Sequence, residues 1–196
     1  MTDALDITAE VRRHLAGHFA DAGEPDSASV TFLGVERIEV LRYPGPDVTH
    51  FVSVGCARYP MVDPSAAAVD PVRGPRAEVV ATLRGAAPGR GWARSLAVLA
   101  AAPVVDGLVL VPDALVDLSA PLWDGAAFTA FLLGRSEIAD LPLPPPLDPV
   151  LFLSAVPITP TEAAWVRLKG AEAMREAWAQ DGVDVRDAHR PASRPV

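Results

Sequence analysis

His14 and His18 stand four residues apart in "VRRHLAGHFA", a spacing that turns two imidazoles to one side of a helix and can hold a metal ion. The residues between them are Leu-Ala-Gly, so the glutamate of the zinc-protease helix motif is missing, and no clustered third ligand is evident. Both histidines fall on the stripe of Val11 and Leu15, where they are expected to be partly buried and hydrogen-bonded. No metal or other cofactor is expected. Cys56 with His50 as its base would be a nucleophilic pair, but six residues of one strand at about 3.3 Å each set them about 20 Å apart. A face shared with Val52 and Val54 predicts that Cys56 fills the core as a small apolar residue. "FVSVG" around Ser53 has half of a nucleophile elbow, with Phe51 where the strained turn needs glycine, so Ser53 reads as a structural mid-strand residue. "GAAPGRGW" could cradle phosphate ahead of a helix, yet it lacks the lysine and Ser/Thr of a P-loop and reads as a loop and helix start. The scattered acids form no tight pair suited to shared acid/base work. None of this is a catalytic signature, and no enzyme is expected.

The stretch "AVPITPTEAAWVRLKG" (155–170) is informative mechanically. Pro160 disfavours a helical Thr159 and suits the first helical position. Thr159 then caps the helix, and Glu162, three residues later, completes a capping box that satisfies two orphan amides. At 100° per residue, Ala164, Leu168, Ala171, Met174 and Trp178 form one apolar stripe. Trp165 lies off it, beside Glu162, Lys169, Glu172 and Glu176. A tryptophan among charges either packs under the preceding loop or waits for a partner, where tryptophan is a frequent hot spot. Trp165 and Glu162, with Arg58 and Tyr59 at the head of the long excursion described next, are the candidate partner-binding residues.

The elements that must position these residues follow from periodicity. Residues 5–22 read as a helix on Ile7, Val11, Leu15, Phe19 and Ala22. "VTFLGVERIEVLRYP" (30–44) and "VTHFVSVGCA" (48–57) read as strands joined at Pro44-Gly45-Pro46. "RYPMVDPSAAAVDPVRGP" (58–75) has four prolines and no period, and an excursion of that length is functional or mobile. "RAEVVATLRG" (76–85) is a third strand. "GWARSLAVLAAAP" (91–103) is a helix expected to stop at Pro103. Residues 107–122 read as two short strands broken at Pro112, and 125–134 as either helix or strand. "LPLPPPLDP" (141–149) reads as a polyproline II spacer, "VLFLSAVPI" (150–158) as a buried strand, and about 160–180 as one helix. The tail 181–196 offers little to bury and is expected to be disordered. Irregularly mixed strands and helices predict an α+β fold with a mixed, largely antiparallel sheet flanked by helices.

With 196 residues, half of them apolar, the chain is expected to form one domain over 1–180. Its 25 acids against 17 bases leave a net charge of −8, the wrong sign for a nucleic-acid binder and the right one for a basic protein partner. Arginine supplies sixteen of the seventeen basic residues, Lys169 being the one lysine. One cysteine excludes an internal disulfide. The N-terminus lacks the basic-then-apolar order of a signal peptide, and no apolar run reaches membrane-spanning length, so a cytoplasmic protein with no membrane partner is expected.

Taken in order, five segments resemble the suppressor of fused domain family: "THFVSVGCARYPM" (49–61), "GPRAEVVATLRG" (74–85), "WARSLAVLAAAPVVDG" (92–107), "VPDALVDLSAPLWDGAAFTAFLLG" (111–134) and "VLFLSAVPITPTEAAWVRLKGAEAMREAW" (150–178). Pro75 and Val79 depart locally from the family's Gly-x-x-x-Glu-Leu strand. The resemblance spans about 30–180. It implies a fold like the amino-terminal lobe of suppressor of fused and a non-enzymatic, protein-binding role. Eukaryotic members of the family sequester a transcription factor by taking its peptide as an added strand between two lobes, and a chain of this length is expected to supply the first lobe alone. Bacterial single-domain members resemble immunity proteins that neutralise polymorphic toxins, which would make the partner a basic toxin domain. A small hydrolase or transferase assembled from remote residues, or a stand-alone regulatory scaffold, is the alternative.

Overall fold

Seven strands form one sheet, β1 (Asp26–Val30), β2 (Ile38–Pro44), β3 (Val48–Val54), β4 (Arg76–Arg84), β5 (Leu115–Asp117), β6 (Ala130–Arg135) and β7 (Val150–Ile158), in the spatial order β1-β2-β3-β4-β7-β6-β5. The computed structural model describes residues 5–85 and 88–193. Every neighbouring pair is antiparallel except β4 and β7, which run parallel. A parallel pair needs a long crossover. Here the crossover carries α2 (Trp92–Asp106), β5 and β6.

Side-chain alternation along the strands feeds both sheet faces. On one face Phe51, Val79, Leu83, Phe131, Leu133 and Leu153 pack against Trp92, Leu96 and Leu99 of α2. On the other, α1 (Ile7–His18) lays Val11 and Leu15 on Leu41, Val52, Val54 and Phe152. Farther along that same face, α3 (Pro160–Lys169) and α4 (Ala171–Gln180) cover Ala130, Leu132 and Ile158 with Ala163, Val166, Met174 and Trp178. The mixed, largely antiparallel sheet with helices on both faces is the architecture expected from the sequence.

Several local expectations need correction. Residues 30–44 are two strands: Val30 pairs with Ile38, and the chain reverses where Val35 N–H donates to Phe32 O at 3.1 Å. β1 starts at Asp26, ahead of the strand expected from residue 30. α2 runs through Pro103 to Asp106, since a proline near a helix end costs one backbone bond. It closes at Gly107, with Leu108 N–H donating to Ala102 O. Of the two strands expected over 107–122 only β5 forms, and 125–134, read as helix or strand, holds a short lead-in and then most of β6. Of residues 141–149, Leu141 pairs with Val150 in an antiparallel bridge.

The helix expected over 160–180 is two. Gly170 takes φ 92° and ψ 167°, a left-handed-side conformation that side chains rarely adopt, and it re-aims α4. That break moves the apolar stripe: Ala163 and Val166 face inward on α3, while Ala164 is exposed and Leu168 keeps 74% of its surface in solvent. The tail expected to be disordered is instead docked through Ser193, with Arg190 buried.

Candidate interaction surface

Two buried glutamates fix the segments that carry the candidate residues. Glu78, on β4, is fully enclosed and accepts from Gly55 N–H at 2.8 Å, Ala57 N–H at 3.0 Å, Cys56 N–H at 3.3 Å and Ser53 Oγ. Burial raises its carboxyl to about 7, working against those four donors, which favour the ionised form. The same contacts pin the 3-10 turn Cys56–Arg58 that follows β3. Arg76, also buried, donates to Ala57 O at 2.9 Å, Arg58 O at 3.0 Å and Val72 O at 3.0 Å. Both ends of the 58–75 excursion are thereby tied to the start of β4.

Glu162 is the second anchor. Its carboxylate takes Arg190 in a two-point clasp, Nη1 at 2.6 Å and Nη2 at 3.1 Å, and also accepts from Thr159 N–H at 2.9 Å, Trp178 Nε1 at 3.0 Å and Ser193 N–H at 3.2 Å. The guanidinium lies over the rings of Phe128 and Trp178 at 5.0 and 5.5 Å. The capping box with Thr159 is present as the spacing predicts, but Glu162 has no exposed surface. As a partner-binding residue it is corrected: its charge is spent on Arg190, a residue the sequence pattern left unassigned. Trp165 is partly buried against the α3–α4 cluster, with Nε1 enclosed and Lys169 Nζ 6.0 Å from its ring. Its indole packs inward.

Arg58 and Tyr59 are the candidates that the fold brings to the surface together. Glu36, in the β1–β2 turn, accepts from Arg58 Nε at 2.9 Å and from the Tyr59 hydroxyl at 2.8 Å. That hydrogen bond, then the carboxylate charge, raises the Tyr59 hydroxyl. The three line a hollow of about 190 Å³ with Val35, Ile38, Ala100 and Val104. Around it Leu33 is fully exposed, and Tyr59, Val104 and Val105 each leave more than half their surface in solvent. Exposed apolar side chains and one ionic cluster are thus brought together from the β1–β2 turn, the turn after β3 and the end of α2. The α2 end, which supplies Val104 and Val105, was missed because Pro103 reads as a helix stop.

The remaining candidates are structural. His14 Nε2 lies 2.7 Å from Ala139 O, and its ring stacks on Phe152 at 5.3 Å. His18 meets Phe19 edge-on. Among the described residues no group of three His, Cys, Asp or Glu side chains is placed to hold a metal ion. His50 Nδ1 lies 2.9 Å from Thr82 Oγ1. Cys56 is buried, and burial pushes its thiol well up. It packs with Ile38 and Met61 under α2, not with Val52 and Val54, because the turn after β3 reverses the face it addresses. Ser53 Oγ bonds Glu78 and accepts from Val79 N–H at 2.9 Å. "GAAPGRGW" lies partly outside the described residues, and its Gly91 caps α2. No helix among the described residues is long and apolar enough to cross a membrane.

A family model described as suppressor of fused protein (SUFU) matches residues 34–191. No curated protein matches the chain in sequence. The fold is similar to that of a SUFU homologue from Neisseria gonorrhoeae FA 1090 (TM-score 0.71, 17% identity, 98% of this chain and 100% of that one). It is also similar to a chain of the Sufu–Fu complex (TM-score 0.70, 15% identity, 95% and 91%). The third similar structure is Drosophila suppressor of fused (TM-score 0.68, 16% identity), where 93% of this chain covers 50% of that one.

Proposed function

The chain belongs to the suppressor of fused protein family, and on that premise we propose that it is a non-enzymatic protein-binding domain acting in the cytoplasm. The observation that carries this reading is the apolar rim of Leu33, Tyr59, Val104 and Val105 around the Glu36–Arg58–Tyr59 cluster. A structural relative was crystallised in the Sufu–Fu complex, and binding another protein is the use we assign here too. Our finer reading is an immunity protein whose partner is a basic toxin domain. The net charge of −8 would steer such a partner and speed its encounter. β1, exposed along its length, and the three-residue β5 end the sheet, and either edge offers main-chain groups for strand addition. The strongly raised carboxyl of Glu78 is enclosed by its four donors rather than facing a cavity, which favours binding over catalysis.

The test is affinity capture from the source organism, followed by calorimetric titration with the captured protein. Val104→Asp should weaken binding at least tenfold while the circular dichroism spectrum stays that of the parent. Recovery of no protein partner, or unchanged affinity in Val104→Asp, overturns the reading.

A further inference from the structure

Between α1 and the α3–α4 pair, the sheet is left partly uncovered. A hollow of about 380 Å³ opens there, with His50 of β3, Thr82 of β4, and Ser154 and Val156 of β7 as its floor. Its walls come from three segments remote in sequence: Phe19 after α1, residues 135–138 after β6, and Val185–Arg186 of the docked tail. A second hollow of about 330 Å³, beside Arg175 and Trp178, shares Arg135, Ser154 and Val156 with the first. A volume of this size suits a small organic molecule.

Gly134 lines the second hollow, next to Arg135, which lines both. A Cβ there would lie 2.9 Å from Ser154 Oγ and 3.4 Å from Arg175 Nη2. Its φ is outside the left-handed region, so the backbone does not require glycine; the space does. A larger residue would press on Ser154, which lines both hollows.

Arg135, Arg186, Glu137, His18 and His50 are the ionisable groups of the first hollow, and Glu137 is in electrostatic reach of Arg186 and His50. Arg186 is answered by Asp184 at 3.0 Å, and Arg175, in the second hollow, by Asp113 at 2.6 Å. Arg135 and Glu137, two residues apart on the wall, form no ion pair with each other or with any other described residue. A guanidinium fork matches a carboxylate in two-point contact, and a carboxylate accepts from an ammonium. Phe19, Val80, Ile138 and Val156 supply apolar surface beside them.

We propose that this hollow binds a free α-amino acid with an apolar side chain, its carboxylate on Arg135, its ammonium on Glu137 and its side chain among Phe19, Ile138 and Val156. The site lies on the sheet face opposite α2, so occupancy is separable from docking at the Tyr59–Val104 rim.

The test is calorimetric titration of the full chain with L-leucine and L-phenylalanine, each beside two probes lacking one charge: the N-acetyl amino acid and the corresponding amine. One-to-one saturable binding of at least one amino acid is expected, with both of its probes at least tenfold weaker. Arg135→Gln and Glu137→Gln are exposed substitutions that keep the fold, and each should weaken binding tenfold or more. Absence of saturable binding by both amino acids overturns the proposal. So does equal binding of either single-charge probe, or unchanged affinity in both Arg135→Gln and Glu137→Gln. Loss of partner capture bears on the docking surface alone and leaves this site standing.

Discussion

Arg190→Ala removes the cation from a carboxylate that has no exposed surface. Glu162 would keep four donors, Thr159 N–H and Oγ1, Trp178 Nε1 and Ser193 N–H, and lose both guanidinium contacts. Breaking one side of a buried ion pair costs about 3–5 kcal/mol, because the surviving charge is left uncompensated. The lost stacking on Phe128 and Trp178 adds to that. For a chain of this size the loss corresponds to a midpoint lowered by roughly 10 °C. Urea unfolding followed by tryptophan fluorescence reads it directly, as a lower midpoint at unchanged slope. The double variant Glu162→Gln/Arg190→Met removes both charges together and should recover most of the loss, since a buried pair replaced by neutral groups is often no less stable. If Arg190→Ala costs under about 1 kcal/mol, the tail is not docked as described; a double variant no better than the single one would show that buried charge is not the cause.

The two buried glutamates respond to pH with opposite sign. At Glu162 burial alone would raise the carboxyl, but the Arg190 guanidinium and Thr159 N–H more than reverse it, so its stabilisation is present above the unfolded value and is lost as pH falls through the lowered folded value. Glu78 is raised to about 7 from 4.5, so the fold gains up to about 3 kcal/mol as pH drops from 7 to 4.5. A denaturation midpoint that rises between pH 8 and 5 checks this, and Glu78→Gln should flatten the rise. Trp165→Ala should cost about 1–2 kcal/mol, as for a partly buried aromatic, and leave partner affinity unchanged in the same titration.

The sheet was legible because β3, β4 and β7 are short, mainly apolar runs bounded by turn residues. The capping box at Thr159 was legible because its spacing is its mechanism. What escaped has a physical pattern. Pro103 and Gly170 act as breakers only in context: α2 absorbs one lost bond near its end, whereas the φ of 92° at Gly170 divides what periodicity reads as one helix. The tail looked unable to bury anything because its anchor is one arginine, and a charged residue signals burial only when its partner is in view. Arg58 and Tyr59 were singled out at the head of a long excursion, while the exposed Leu33, Val104 and Val105 come from segments remote in sequence.

Each buried glutamate secures a segment whose local pattern is too weak to hold itself. Glu162 binds the tail that supplies Val185 and Arg186 to the open hollow. Glu78 binds three successive amides, and the last of them, Ala57 N–H, belongs to the residue before Arg58. The Arg58–Tyr59 turn is therefore positioned by a carboxylate that burial pushes toward the neutral form. Protonation relieves the burial cost and strengthens the fold, yet it also trades charged hydrogen bonds to Gly55, Cys56 and Ala57 for weaker neutral ones. Global stability and the rigidity of the Arg58–Tyr59 turn should thus move in opposite directions below pH 7. Amide hydrogen exchange at residues 55–59, compared with exchange in β3 and β4, would separate them: faster exchange in the turn with slower exchange in the strands supports the coupling, and parallel changes refute it.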